Sequence, residues 1–275
     1  MTLLHAASRE ALARTEEKLL GIAEAGAESG PRTLGEQLFA VVGLLSGEIP
    51  LRRALADASA DASRRERLLR KLVEGKVSAR ALDVLVSVVS QRWSSSRELV
   101  DGLESLARTA LLVAAEHIGR LDTVEDELFR FGRIVAGDGE LERLLSDPVA
   151  PIDGKLRLVR ELVGGKVDEI TVILVEQLVS FPRGRRAVAG LEELADLAAK
   201  RRQRSVAQVT TAVPLTEQQQ NQLSATLDRI YARPIALHLE VDPTIMGGLV
   251  IRVGDEVIDG SAAGRLDALR RRLAG

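Results

Sequence analysis

Gly47-Glu48-Ile49-Pro50-Leu51-Arg52-Arg53-Ala54-Leu55-Ala56-Asp57 returns about ninety residues later as Gly137-Asp138-Gly139-Glu140-Leu141-Glu142-Arg143-Leu144-Leu145-Ser146-Asp147. The register extends outward on both sides. Upstream, Leu38-Phe39 falls on Leu128-Phe129; downstream, Leu72-Val73 falls on Leu162-Val163 and Gly75-Lys76-Val77 on Gly165-Lys166-Val167. After a slip of two residues, Gly102-Leu103-Glu104-Ser105-Leu106-Ala107 matches Gly190-Leu191-Glu192-Glu193-Leu194-Ala195. Ala and Leu are common enough here to coincide by chance, but colinear Gly, Lys and Asp are harder to dismiss. Residues 36–89 and 126–179 therefore read as tandem copies of one unit.

The spacing predicts helices nearly everywhere up to about residue 204. Leu12, Leu19, Leu20 and Ile22 form one stripe, Leu38, Val41, Val42 and Leu45 another, and Leu82, Leu85, Val86 and Val89 a third. These are the three-and-four intervals of amphipathic helices. Gly30-Pro31, Gly47 with Pro50, Gly75, Gly137 to Gly139, Pro148 with Pro151, and Gly164-Gly165 punctuate them. The pieces between are short, which favours compact bundles over a long coiled coil.

The period changes after residue 204. Val206, Val209, Thr211 and Val213 predict a strand ended by Pro214, and Thr216-Glu217-Gln218-Gln219 is a capping box opening a helix to about Tyr231. Ile235 to Val241 and Leu249 to Val253 alternate as strands. Gly254-Asp255 then predicts a two-residue hairpin whose first position needs positive φ, with Ile258 returning opposite Ile251. Ser261 can cap a last helix lined by Leu266, Leu269 and Leu273. The predicted fold is mainly α: two tandem helical bundles (1–95 and 96–204), joined by a long helix from about Ser95 to Arg120, and a small βαββα unit (205–275).

Composition sets limits on function. The 275 residues carry a formal net charge of -2, with 28% charged and 45% hydrophobic. That suits a folded chain of one to three domains with no bulk attraction to nucleic acid or anionic lipid. Aromatics are only 2%, so the core is built from Leu, Val, Ile and Ala, and the absence of Cys excludes disulfides and thiolate metal sites. No stretch approaches the roughly 20 apolar residues of a membrane span. Arg9 and Glu10 come too early for a secretory signal. The chain is expected to be soluble, not exported, and without direct membrane insertion.

Searching for chemistry returns only structural explanations. Lys200-Arg201-Arg202-Gln203-Arg204 and Arg270-Arg271-Arg272 close helices, where cations suit the dipole, and no aromatic is interleaved for base stacking. Gly164-Gly165-Lys166 lacks the hydroxyl and preceding strand of a phosphate loop. His5, His117 and His238 stand alone, without a second ligand at metal spacing. Glu16-Glu17 and Glu192-Glu193 lie on helix surfaces. Trp93 ends an apolar helix and reads as packing. No nucleophile elbow is present. Catalytic, cofactor-binding and metal-ligating residues are each assigned to none.

The C-terminal stretch carries a resemblance. Asp242-Pro243-Thr244-Ile245-Met246-Gly247-Gly248-Leu249-Val250-Ile251-Arg252-Val253-Gly254-Asp255, continued by Val257-Ile258-Asp259-Gly260-Ser261, is similar to the signature of the delta subunit of F-type ATP synthase, whose mitochondrial counterpart is the oligomycin-sensitivity-conferring protein. Ala212-Val213-Pro214-Leu215-Thr216, Glu140 to Pro148 and Leu162 to Lys166 resemble further family segments, and the likeness covers roughly residues 105 to 275. Asp242, Pro243, Gly247, Gly248, Gly254, Asp255, Asp259, Gly260 and Ser261 are the signature positions. A usual family member has one helical bundle where this chain has two. The resemblance leaves residues 1–95 open: they could duplicate a head contact, lengthen the stator or buttress the second bundle.

What the resemblance implies is a non-catalytic stator subunit, without cofactors, at the cytoplasmic face of the cell membrane. Its helical domain would receive N-terminal helices of the alpha subunits, and its C-terminal unit would meet C-terminal helices of the b-type stalk subunits. Helix-in-groove binding needs an apolar wall. Residues 167–179 are apolar almost all round, and Ile170, Ile173, Leu174, Val175 and Leu178 are the candidate contacts. The plainer reading of that helix is a central one, buried on every side. An unrelated helical adaptor and a nucleic-acid-binding regulator are the alternatives from other classes.

Overall fold

The computed structural model describes residues 4–24, 30–204, 206–231, 235–245, 247–254 and 256–261. Residues up to Ala198 form one compact unit and those from Ala199 another. The chain is mainly helical with a small C-terminal α/β unit, as expected.

The first unit runs α1 (Ala6–Glu24), α2 (Gly30–Gly47), α3 (Ile49–Ala56), α4 (Ala62–Val73), α5 (Ala79–Ser90), α6 (Ser96–His117), α7 (Leu121–Gly137), α8 (Gly139–Ser146), α9 (Ile152–Val163), α10 (Glu169–Ser180) and α11 (Ala187–Arg204). A shift of about ninety residues carries α2 to α5 onto α7 to α10, and the local chemistry moves with them. Ser78 caps α5 by accepting from the Ala81 amide, and Asp168 caps α10 by accepting from that of Ile170. Each of these caps is held from a neighbouring helix: the Ser78 amide donates to Gln37, and the Asp168 amide to Glu127. Gly75 and Gly165 turn the chain in the left-handed region after α4 and α9 (φ 76° and 70°). The repeat was thus legible as sequence and is preserved as hydrogen bonding.

One pair of equivalents shows what the duplication conserves. Arg65 is buried and donates to the carbonyls of Val89 (2.8 Å) and Asp57 (2.7 Å), with longer bonds to Ser90 and Gln91. Lys155, also buried, donates to Val179 (3.1 Å) and Leu145 (3.5 Å). The last carbonyls of a helix have no intrahelical partner. In both repeats a cation on one helix (α4 or α9) meets that need at the end of the apolar helix that follows it (α5 or α10).

The repeats interlock rather than sit end to end. The predicted connecting helix is α6, and it is buried almost continuously from Glu98 to Glu116. It corresponds to α1 when the first repeat is shifted forward, and to α11 when the second is shifted back. It therefore closes one repeat and opens the next. One continuous core, from Ala11 on α1 to Ala198 on α11, surrounds it. The expected boundary at 95/96 falls at the start of this shared helix, inside the first compact unit. Trp93 packs as expected: it is 4% exposed, its indole donates to the Val88 carbonyl at 2.8 Å, and its ring lies over Gly102, where a Cβ would stand 2.2 Å away.

In the second unit β1 (Val206–Thr211), α12 (Glu217–Tyr231), β2 (Ala236–Val241), β3 (Leu249–Val253) and β4 (Glu256–Asp259) form a sheet of order β2-β1-β3-β4. β1 pairs parallel with β2 and antiparallel with β3. Ala207, Val209, Ile251 and Val253 meet Leu227 and Ile235 in a separate small core. The capping box is formed, with the Thr216 amide donating to Gln219 Oε1 (2.9 Å) and the Gln219 amide to Thr216 Oγ1 (3.3 Å). Ile251 pairs with Ile258, and Gly254 has φ 58°, as the hairpin requires. Asp255, the start of the predicted strand at Ser205, and the predicted last helix lie outside the described residues.

Candidate partner-binding surfaces

The five side chains predicted to wall a groove lie together on α10 but do not share an environment. Ile170, Leu174, Val175 and Leu178 are 0–3% exposed and belong to the core. Ile173, with Val172, is half-buried. The physical reason is that α9, α6 and α7 all pack against α10, so most of its apolar circumference is used within the chain. Four of the five positions are thus core side chains rather than an open wall.

Just beyond α10, residues 181–186 are clamped to α6 by buried charges. Arg183, which has φ 50°, pairs with Asp101 and with Glu104 at 3.2 Å. Arg185 reaches Glu104 at 2.5 Å and Glu193 on α11 at 3.2 Å. Arg108 pairs with the same Glu104. Burial works against the Arg185 charge, but Glu104 and Glu193 raise its affinity for the proton above the ordinary value; for Arg108 burial prevails and lowers it. Three guanidiniums and three carboxylates balance there, so the cluster fixes a loop between helices and offers no excess charge to a ligand. Glu104 and Glu193 sat within the matched repeat segments, yet nothing in their spacing signalled the cluster, because two of its three arginines, Arg183 and Arg185, come from a turn.

The described signature residues of the C-terminal unit are tied to its turns. Asp242 accepts from the Thr244 hydroxyl (2.7 Å) and amide (2.9 Å), and those bonds, the hydroxyl first, hold its carboxyl below the usual range. Asp259 does the same with Ser261, whose hydroxyl is the leading cause of the lowered pKa and whose amide donates at 2.9 Å. Gly248 has φ 86°, and a Cβ there would stand 2.4 Å from the Gly260 carbonyl oxygen. The Gly260 amide in turn donates to the Leu249 carbonyl at 2.9 Å. Pro243 and Gly247 complete the turn before β3. Gly247-Gly248 and Gly260-Ser261 thus specify where two turns cross.

A surface that sequence reasoning missed lies between α7 and α11. Phe129 is 59% exposed although the chain has only four phenylalanines. It borders a cleft of about 320 Å³ with Gly132, Arg133 and Ala136 on one wall and Leu191, Glu192 and Ala195 on the other. Elsewhere Val149 (88%) and Ile152 expose apolar side chains around the turn from α8 to α9. Among the described residues no three His, Asp or Glu side chains gather as a metal site, and no helix is long and apolar enough to cross a membrane.

Fold and surfaces together define the class: a mainly α protein of two interlocked helical repeats, with an apolar interhelical cleft and a small mixed-sheet unit at its C-terminal end. Comparison with known proteins makes this specific. A family model described as ATP synthase delta (OSCP) subunit matches residues 107–273. The ATP synthase subunit delta of Nocardia farcinica is 47% identical over 271 residues, 98% of this chain and 100% of its own length. That of Thermobifida fusca is 50% identical over 245 residues, 88% of this chain and 90% of its own. A chain in the cryo-EM structure of the Toxoplasma gondii mitochondrial ATP synthase hexamer is 30% identical, with 61% of this chain and 95% of that one covered, at a TM-score of 0.30. The chain belongs to the ATP synthase delta (OSCP) subunit family. The family model begins within α6, whereas the Nocardia match spans nearly the whole chain, so the additional first repeat is shared with that relative.

Proposed function

We propose that this chain is the non-catalytic stator subunit that ties the catalytic alpha/beta head of an F-type ATP synthase to its b-type peripheral stalk and resists torque during synthesis. The observation that carries this is the match of the delta family model over residues 107–273, with relatives of that name aligned over nearly the whole chain. The helical unit takes N-terminal helices of the alpha subunits, and the C-terminal unit takes the C-terminal helices of the b-type subunits. The protein works without a cofactor, on the cytoplasmic face of the cell membrane, and is held there by its partners. Its modules are residues 1–95, 96–204 and 205–275. Of the three roles open to the first, buttressing has the most support, because α1, α2, α3 and α5 pack around the same α6 that opens the second repeat. On α10, Ile173 retains the exposure that a contact residue needs, while Ile170, Leu174, Val175 and Leu178 hold the helix from within.

A stator passes force through non-covalent contacts, which are its weak links. Apolar burial at roughly 25 cal/mol per Å² makes aligned helices an economical joint. The direct test is recovery of partners by tagged full-length protein from detergent-solubilised membranes. Alpha, beta and b-type subunits should co-purify in fixed proportion, and recovery of none of them would refute the reading.

A further inference from the structure

Charge is divided across the open face of the C-terminal sheet. Along β1 and β3, Ala207, Val209, Ile251 and Val253 point into the core with Leu227 of α12, so Gln208 and Arg252 between them point to the other side. These two are direct partners in the antiparallel register, and His238 and Val257 extend their row across β2 and β4. That row holds no carboxylate. The next row on the same face, Glu240-Thr210-Val250-Asp259, has one at each edge. The basic end borders a pocket of about 740 Å³. Gln208 and Arg252 form one side of it with Gly254 at the edge, and Lys200, Arg202 and Gln203 at the end of α11 form another. All of them belong to the second compact unit. Among the described residues no carboxylate lines the pocket, and Lys200 and Arg252 are exposed without an ion pair. Cations collect at a helix end because its last carbonyls are partly negative, which accounts for Lys200 and Arg202. It does not account for Arg252, which a separate strand brings to the same pocket.

We propose that this pocket binds a soluble phosphate anion carrying more than one charge, of the pyrophosphate or nucleoside polyphosphate class. The proposal is independent of the stator reading and adds a small-molecule ligand to the C-terminal unit. The guanidinium of Arg252 is a planar fork suited to two phosphate oxygens at once, and Lys200 supplies a point charge for a second phosphoryl group. Gln203 and Gln208 add neutral amide donors. Gly254, with φ 58°, puts no side chain at the edge. The volume falls in the range of small-molecule sites. Among the described residues no aromatic lines the pocket, so it suits a compact anion rather than a nucleic-acid strand held by stacked bases.

The test titrates sodium pyrophosphate and metal-free ATP into full-length protein by calorimetry, with sodium chloride at matched ionic strength as control. The parent should bind saturably, with one ligand per chain. Lys200→Gln and Arg252→Gln should each weaken binding about tenfold, because each removes a charge-assisted bond. Both positions are exposed, so melting should be unchanged. Gln208→Glu keeps both cations but sets a carboxylate opposite Arg252, and should weaken binding as much. Comparing the ligands separates the sources: equal or tighter binding of ATP admits nucleotides, and tighter pyrophosphate confines the pocket to the inorganic anion, either result upholding the site. Saturable binding that all three variants retain places the anion elsewhere and overturns the proposal, as does a signal that sodium chloride reproduces. Binding to phosphatidylglycerol vesicles or to polyglutamate, with none of the soluble ligands bound, assigns the pocket to a membrane or an acidic protein and equally overturns the soluble anion.

Discussion

Arg65 and Lys155 show how one structural problem admits two solutions. Each donates to otherwise unpaired carbonyls at the end of an apolar helix, but Arg65 offers a planar fork with four bonds, and Lys155 a single ammonium with two. Removing either leaves buried acceptors without partners, at a cost of roughly 1–3 kcal/mol for the smaller loss. Arg65→Met should therefore destabilise the helical unit more than Lys155→Met, as read from denaturant midpoints at unchanged slope. The signature aspartates give a pH prediction. Asp242 and Asp259 have folded pKa values below the ordinary 3.8. Their stabilisation is therefore fully present above that value and is lost as pH falls through 3.8 toward the folded values. The C-terminal unit should weaken in this acid window, and Asp259→Asn should make that slope shallower; an identical slope in the variant would remove Asp259 from the explanation. These aspartates could be singled out from sequence, but their hydroxyl and amide partners two residues on identify them as turn formers.

Among the elements, the C-terminal unit was the most legible. Thr216 and Gln219 announce their own capping bonds, and Gly254 fixes a hairpin whose register follows by counting, so Ile258 faces Ile251. Helix faces were less so. α7 carries Phe129 and Phe131 two residues apart, and only the neighbouring helices decide that Phe131 is 4% exposed and Phe129 is not. α10 posed the same difficulty: an all-round apolar helix does not say which side its neighbours leave open. The structure separates its positions, and substitution should too. Val175→Asp places an unpaired charge at a 0% exposed position and should cost roughly 3–5 kcal/mol or unfold the unit. Ile173→Asp, at a half-buried position, should leave a folded protein with melting within a few degrees of the parent. Equal damage from both would mean that α10 is enclosed on every side. The central place of α6 was hinted at by Ala110-Leu111-Leu112-Val113-Ala114-Ala115, a run with no polar side to give to water. Its double membership in both repeats emerges only when three helices, α1, α6 and α11, are aligned by a shift of about ninety residues.

Taken whole, the molecule has two compact units with separate cores, and the one family match runs from within the first into the second. That organisation suits the bridging role proposed above, and under that proposal it makes loss of one attachment separable from loss of the other. Torque does no work on a stator that is anchored at both ends; with one end free, the head turns with the rotor and hydrolysis uncouples from proton flow. The measurement is proton-driven ATP synthesis in membranes stripped of this subunit and reconstituted with either the full chain or residues 1–204, with head binding and ATP hydrolysis followed in parallel. The full chain should restore synthesis. Residues 1–204 should bind the head and leave hydrolysis running while synthesis stays at the stripped level. Full restoration of synthesis by residues 1–204 would contradict the bridging role, as would a full chain that binds head and stalk yet restores nothing.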